Sequence, residues 1–342
     1  MAAPLSPPPG PTRTARLAAY DVVSAALSRL DVRRLEKLLA GAAPVGGDGR
    51  ATRMEVDGLP VLVRRVPLTD PELLAGNVLS TADLFGLPEA CHYGVDSPGS
   101  GAWRELAAHS TATDWVLMDQ AQGFPLLYHW RVLPDQDAPD LLDPGEAERM
   151  LDRWAGAPGV RARVEQLGRA SHSVLLFLEH IPLTLPQWLA DRTAEGGAAA
   201  ESAWAAAQQG LDAATAFLRA QGLVRFDAGP DHLGTDGHRL YLTGFGLALH
   251  ERFALSPQEA RFLREHLDHD RACAAARLVR CAELTAPEAR PGAATAVLDR
   301  YAAVAAVLED FHRRLRQEGP QAPYPAEELR RALAGPGSGS AP

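Results

Sequence analysis

The spacing of apolar residues changes several times along this chain, and each change predicts an element. Within residues 14–39, Leu17, Tyr20, Val23, Leu27, Leu30, Leu35, Leu38 and Leu39 recur at near-helical intervals, with Asp31 placed to break the run into two helices. Residues 52–56 and Pro60-Val61-Leu62-Val63-Arg64-Arg65-Val66 flank an Asp57-Gly58 step that allows a tight reversal, which predicts a β-hairpin. Residues 103–109, 148–154 and 160–167 read as helical, and residues 124–133 as a strand. The apolar run Val174-Leu175-Leu176-Phe177-Leu178-Glu179-His180-Ile181 predicts a buried strand, followed by Thr184-Leu185-Pro186-Gln187, a capping box that opens a helix. Residues 200–220 carry Trp204, Leu211, Ala214, Phe217 and Leu218 at helical spacing, and Gly222 stands where a C-terminal cap belongs. Two short apolar runs, residues 223–226 and 240–242, flank Thr235-Asp236-Gly237 and predict a second small hairpin. Ser256-Pro257-Gln258-Glu259 caps a further helix, expected to carry His266-Leu267-Asp268-His269-Asp270.

The polar residues around the second hairpin carry the chemistry. Arg225-Phe226-Asp227-Ala228-Gly229-Pro230-Asp231-His232 resembles the catalytic loop of protein kinases, and Gly244-Phe245-Gly246-Leu247-Ala248 resembles their D-F-G metal loop. The resemblance extends over roughly residues 42–312. VLVRRVPLTD, WRELAAH and FPLLYHWRVLP are also similar to strings in actinobacterial proteins labelled Ser/Thr protein kinases. It implies an α+β, two-lobed protein-kinase-like fold with a small β-rich N-lobe and a larger helical C-lobe. It also implies roles: Asp227 as the remnant catalytic base, Arg64 at the phosphate-gripping Lys position, Glu105 as its ion-pair partner, and Leu62 against adenine. Gly46, Gly47 and Gly49 would form the phosphate-covering loop, and the adenine edge would lie near Glu179 to Ile181.

Both metal positions depart from the family pattern. His232 stands at the Asn position and Gly244 at the Asp position of D-F-G. A hydrogen atom cannot ligate Mg²⁺, which prefers hard oxygen donors, and an imidazole suits zinc or copper better. The resemblance therefore implies a pseudokinase, a nucleotide-binding or scaffold module regulating an unidentified protein partner, with ATP as a candidate ligand and no Mg²⁺ expected. An active atypical kinase recruiting Asp231, Asp236 or His232 to metal, and a small-molecule phosphotransferase using Asp227 as base, remain the alternatives. Between Gly246 and Ser256 there is no room for a long phosphorylatable activation segment.

Composition narrows this only modestly. Arg64 at a Lys position is partly compositional, since Lys37 is the chain's single lysine. A net charge of −9 argues against broad nucleic-acid binding, with local basic patches confined to stretches such as residues 149–163. Cys91, Cys273 and Cys281 form neither an even disulfide framework nor a zinc pattern. No apolar run reaches membrane-spanning length and the N-terminus lacks a secretory core segment, so a cytoplasmic location is expected. The expected organisation is a Pro-rich, disordered stretch (1–12), a helical extension (13–41), the β-rich lobe with helical insertions and hinge (42–182), the helical lobe (183–330) and a disordered tail (331–342).

Overall fold

The computed structural model describes residues 11–46, 50–226, 232–285 and 287–335. Helices α1 (Arg13–Arg29) and α2 (Val32–Ala40) begin at Thr12 and Asp31, whose side chains accept the backbone N–H of Ala15 and Arg34. The expected break at Asp31 is thus an N-cap. Strands β1 (Ala43–Val45), β2 (Ala51–Val56) and β3 (Leu59–Leu68) follow, and Asp57 and Gly58 turn β2 into β3 with positive φ at both positions.

After β3 the chain makes a long excursion, containing the single turn α3 (Asp70–Leu73), before entering α4 (Ala102–Leu117). Strand β4 (Leu127–Pro134), helices α5 (Pro144–Arg153) and α6 (Pro158–Leu167), and strand β5 (His172–Glu179) complete the first half. These strands form one antiparallel sheet in the order β1-β2-β3-β5-β4. Pleating sends alternate residues to opposite faces. Val61, Val63, Leu175 and Phe177 share a core with Val23, Leu27 and Leu35 of the N-terminal helices. Leu62, Val66, Leu176 and Leu178 pack with Trp103 and Leu106 of α4. Arg64 lies in β3 between Leu62 and Val66, on the α4 side.

The second half is largely helical. Strand β6 (Leu183–Thr184), α7 (Leu185–Glu195), α8 (Gly197–Ala220), β7 (Leu223–Val224), β8 (Leu233–Thr235), β9 (Leu240–Leu242) and β10 (Leu249–His250) precede α9 (Pro257–Glu265), α10 (His269–Glu283), α11 (Gly292–Glu318) and α12 (Ala326–Ala334). Helices α8, α10 and α11 pack on one another around Trp204, Leu211, Leu278, Val304 and Phe311. The chain is therefore of the mixed α+β class. Among the described residues, no helix is long and apolar enough to cross a membrane.

Three local expectations need correction. Residues 240–242 pair with Leu233–Thr235 instead of with residues 223–226; Leu223 and Val224 pair with His250 and Leu249. The turn lies where the sequence places it, but its first limb is the short Leu233–Thr235 segment and not the stronger apolar run at 223–226. At Thr184 the hydroxyl accepts the Gln187 N–H at 3.4 Å and donates to the Gln187 carboxamide at 3.0 Å, so the return arm of the capping box is absent. The helix capped by Ser256 stops at Glu265, and His266 and His269 are buried at a helix junction.

Candidate functional site

A cavity of about 320 Å³ opens where β3, α4 and the β9–β10 connection meet. The sequence-predicted residues Arg64, Glu105 and His232 all lie in its wall. Arg64 Nε donates to Glu105 Oε1, joining the middle of the sheet to the first turn of α4. Gly246 closes against this pair: a Cβ there would sit 3.3 Å from Glu105 Oε2 and 3.5 Å from Arg64 Nη2. Gly244, two residues earlier, has a φ of 77°, a left-handed conformation that glycine adopts without penalty.

The electrostatics of the wall come from an asymmetry in burial. The Arg64 side chain is 28 % exposed while Glu105 is 5 % exposed; the adjacent Arg65 is 25 % exposed while its partner Asp135 is 8 % exposed. Asp135 is held from behind by the Ser173 hydroxyl at 2.6 Å. The carboxylates are thus the more buried members of their pairs, and both guanidinium side chains contribute to the cavity wall, where planar N–H donors can meet anionic oxygens. His232 offers an imidazole nitrogen and Gly244 no side-chain donor, so neither supplies the hard oxygen that Mg²⁺ prefers.

Arg225 and Phe226, ahead of this site, are held by several contacts. Phe226, immediately before Asp227, is buried with a φ of 58°, an unusual conformation for a bulky residue and one that concentrates at functional sites. Its ring stacks on Phe262 at a centroid distance of 5.4 Å and lies 5.5 Å from His92. Arg225, also buried, donates its backbone N–H to Asp270 Oδ2 at 2.8 Å and its guanidinium to the Thr243 carbonyl. Phe245 meets His109, one turn beyond Glu105 on α4, edge-on at 4.8 Å. Burial pushes the His109 imidazole down to about 4, so it packs as a neutral ring.

The other predicted site residues go elsewhere. Leu62 packs into the core against α4. Glu179 points to the opposite face of the sheet, where its carboxylate takes two hydrogen bonds from Arg16 at 2.8 and 2.6 Å and the Leu126 N–H at 3.1 Å. Ile181 packs on Gly234, where a Cβ would come within 2.7 Å of its Cγ2. Gly46 has a φ of 75° at the end of β1 and is not part of the cavity wall. Asp227, Asp231, Gly47 and Gly49 lie outside the described residues.

Several participants were not anticipated. Ser100 donates its N–H and hydroxyl to the Gly246 carbonyl at 3.3 and 2.9 Å, and His92 Nδ1 lies 2.8 Å from the Leu247 carbonyl oxygen. Both belong to the excursion between β3 and α4, which has no apolar periodicity to announce it. The Arg65–Asp135 pair was equally hidden, since its members lie 70 residues apart. Comparison with protein-family models and with curated proteins gives no match.

Proposed function

We propose that this chain has a two-lobed protein-kinase-like fold and acts as a pseudokinase, binding a nucleotide as a regulatory or scaffold module without efficient phosphoryl transfer. The observation that carries the reading is the Arg64–Glu105 ion pair beside Gly246. It joins the third strand of an antiparallel sheet to α4, the first long helix after it, the relation expected for the phosphate-gripping residue and its partner. Glu179 and Ile181 would mark the hinge between the lobes. Catalysis of phosphoryl transfer depends on positioned metal and charge. With Gly244 and His232 at both metal positions, nucleotide binding falls to guanidinium groups, and an unidentified protein partner receives the signal.

A thermal-shift titration of the full chain with ATP, with and without Mg²⁺ or Mn²⁺, tests this. A rise of roughly 5 °C at saturating ATP is expected, following from about 2.7 kcal/mol of linkage at a hundredfold excess over Kd, and the metals should add nothing. The strained φ at Phe226, immediately ahead of Asp227, favours a second reading in which that aspartate still serves a phosphotransferase. A metal-dependent shift together with phosphate release abolished by Asp227→Asn would establish that reading and sink the first.

Restoring the donors should restore metal dependence. Aspartate tolerates the left-handed conformation of Gly244 better than most residues, so Gly244→Asp combined with His232→Asn is expected to fold and to make the ATP-induced shift larger with Mg²⁺ than without it. Equal shifts in the two conditions would show that these positions do not face a bound nucleotide's metal.

A further inference from the structure

Much of the cavity wall comes from parts of the chain that the proposed function leaves without a role. One is the excursion between β3 and α4, residues 74–101; the other is the insertion between β4 and β5, which carries α5 and α6. Together they build a separate small core in which Cys91 and Leu87 from the first pack with Met150, Trp154, Val160 and Val164 from the second. Polar contacts join the same two pieces. Arg153 pairs with Asp96 at 2.6 Å, Trp154 Nε1 donates to the Asp96 carbonyl at 2.8 Å, and Arg163 Nε donates to the Pro98 carbonyl at 3.1 Å. At Gly159 the approach is so close that an added Cβ would run into the carbonyl oxygens of Phe85 and Gly86.

This assembly is fastened to both halves of the molecule. On the helical side, Arg104 of α4 donates to the Thr81 carbonyl of the excursion at 2.7 Å and pairs with Glu259 of α9 at 2.7 Å, both charged side chains being buried. Arg153 donates to the Leu315 carbonyl of α11 at 2.9 Å, and Tyr93 sits among Phe226, Phe262, His266 and Phe311. On the cavity side, residues 94 and 97–101 form its wall, and Ser100 holds Gly246. The two segments supply eleven of the twenty residues that line the cavity around Arg64, Glu105 and His232. A cavity of about 320 Å³ is at the small end of ligand pockets.

We propose that the two insertions form a lid that restricts this cavity to small anionic ligands and shuts out polypeptide chains. The proposal rests on reading the cavity as a ligand site, and it names the size class that site accepts. Its mechanism is packing: the Cys91–Trp154 core and the Arg153 and Arg104 contacts keep residues 94–101 against Gly246 and Leu247 in the resting protein. Binding is confined to molecules that pass without opening that core.

The test uses the full chain carrying His232→Cys, reacted in parallel with a small methanethiosulfonate and with a polymer-tethered maleimide, the site of labelling mapped by peptide mass. The parent chain, whose three cysteines are buried, supplies the background. The small reagent should label Cys at position 232 readily, and the polymer reagent more slowly by roughly tenfold or more relative to an exposed thiol. Gly159→Val should abolish that difference and expose Cys91, and Trp154→Ala provides the same opening should the valine variant not fold. Equal rates for the two reagents in the intact lid, no labelling by the small reagent, or a size ratio unmoved by either lid variant would each overturn the proposal. None of these rates depends on nucleotide, so failure of the lid and failure of nucleotide binding are read separately.

Discussion

Replacing Arg16 by Ala is expected to lower the unfolding free energy by about 3–5 kcal/mol, the usual cost of removing one partner from a buried ion pair. Arg16 is 2 % exposed, and its guanidinium reaches five acceptors: both Glu179 carboxylate oxygens, the Gln122 carbonyl and carboxamide oxygens, and the Phe124 carbonyl. Its face also lies 5.2 Å from the centre of the Tyr241 ring. Burial works against the charge, but the hydrogen bonds and Coulombic attraction of Glu179 outweigh it and raise the guanidinium above its ordinary value. The truncation leaves Glu179 and three other acceptors short of a donor in one place. Urea unfolding should show a lower midpoint with an unchanged slope, since the surface exposed on unfolding barely differs. Arg16→Met combined with Glu179→Gln should recover a large part of the loss, because the orphaned charge is gone. A single-variant loss below about 1 kcal/mol would mean that water or a rearranged side chain replaces the guanidinium.

That cluster also shows where sequence reasoning stops. Helix α1 was legible from Leu17, Val23 and Leu27, and its cap at Thr12 is a local signal. Arg16 lies seven residues before Val23 and eleven before Leu27, on the buried stripe, and a cation on an apolar face was the available sign of a buried partner. Nothing local identified that partner, which lies 163 residues away. Glu179 is expected at an adenine edge because the run 174–181 resembles the strand that leads into a kinase hinge. In an antiparallel sheet the pleat assigns its face, and it falls with Val61 and Phe177 toward α1. The pairing of Arg64 with Glu105 follows from the resemblance, which puts the two at a Lys position and its ion-pair partner; only the strand and the helix that carry them are legible from their periods. The β3–α4 excursion defeated the same logic. Residues 74–101 are held by single polar contacts, the aromatic cluster around Tyr93 and a small satellite core, interactions that leave no repeat in the chain.

Lowering the pH from 7 to 4 is expected to unfold the protein through its histidines before its carboxylates matter. Burial pushes His92, His109 and His266 each down to about 4, and His269 in the same direction. In the unfolded chain each returns to about 6.5, so only the unfolded state gains protons as the pH falls between these values. Their contribution is complete above about pH 7 and is lost progressively from about 6.5 toward 4. At pH 4 each accounts for a loss on the order of 2–3 kcal/mol, and three together rival the roughly 5–15 kcal/mol of an ordinary domain's stability. The neighbouring charges do not reverse the sign. His109 gains from Glu105 and loses to Arg64, and His92 gains from Glu259 and loses to Arg104, in both cases less than burial removes. Glu259 is opposed by burial but held below the ordinary carboxylate range by Arg104, so its protonation falls at the acid end of the window. Urea midpoints measured from pH 8 to 4 by circular dichroism should therefore fall steeply below about 6.5, by up to about 1.4 kcal/mol per pH unit for each histidine. His109→Phe should flatten the profile by one such increment while holding stability at pH 7, because neither imidazole nitrogen has a hydrogen-bond partner among the described residues. A profile that stays level between pH 7 and 5 would mean that these rings take up protons in the folded state, and that the aromatic junction behind Phe226 and the packing beneath α4 admit water.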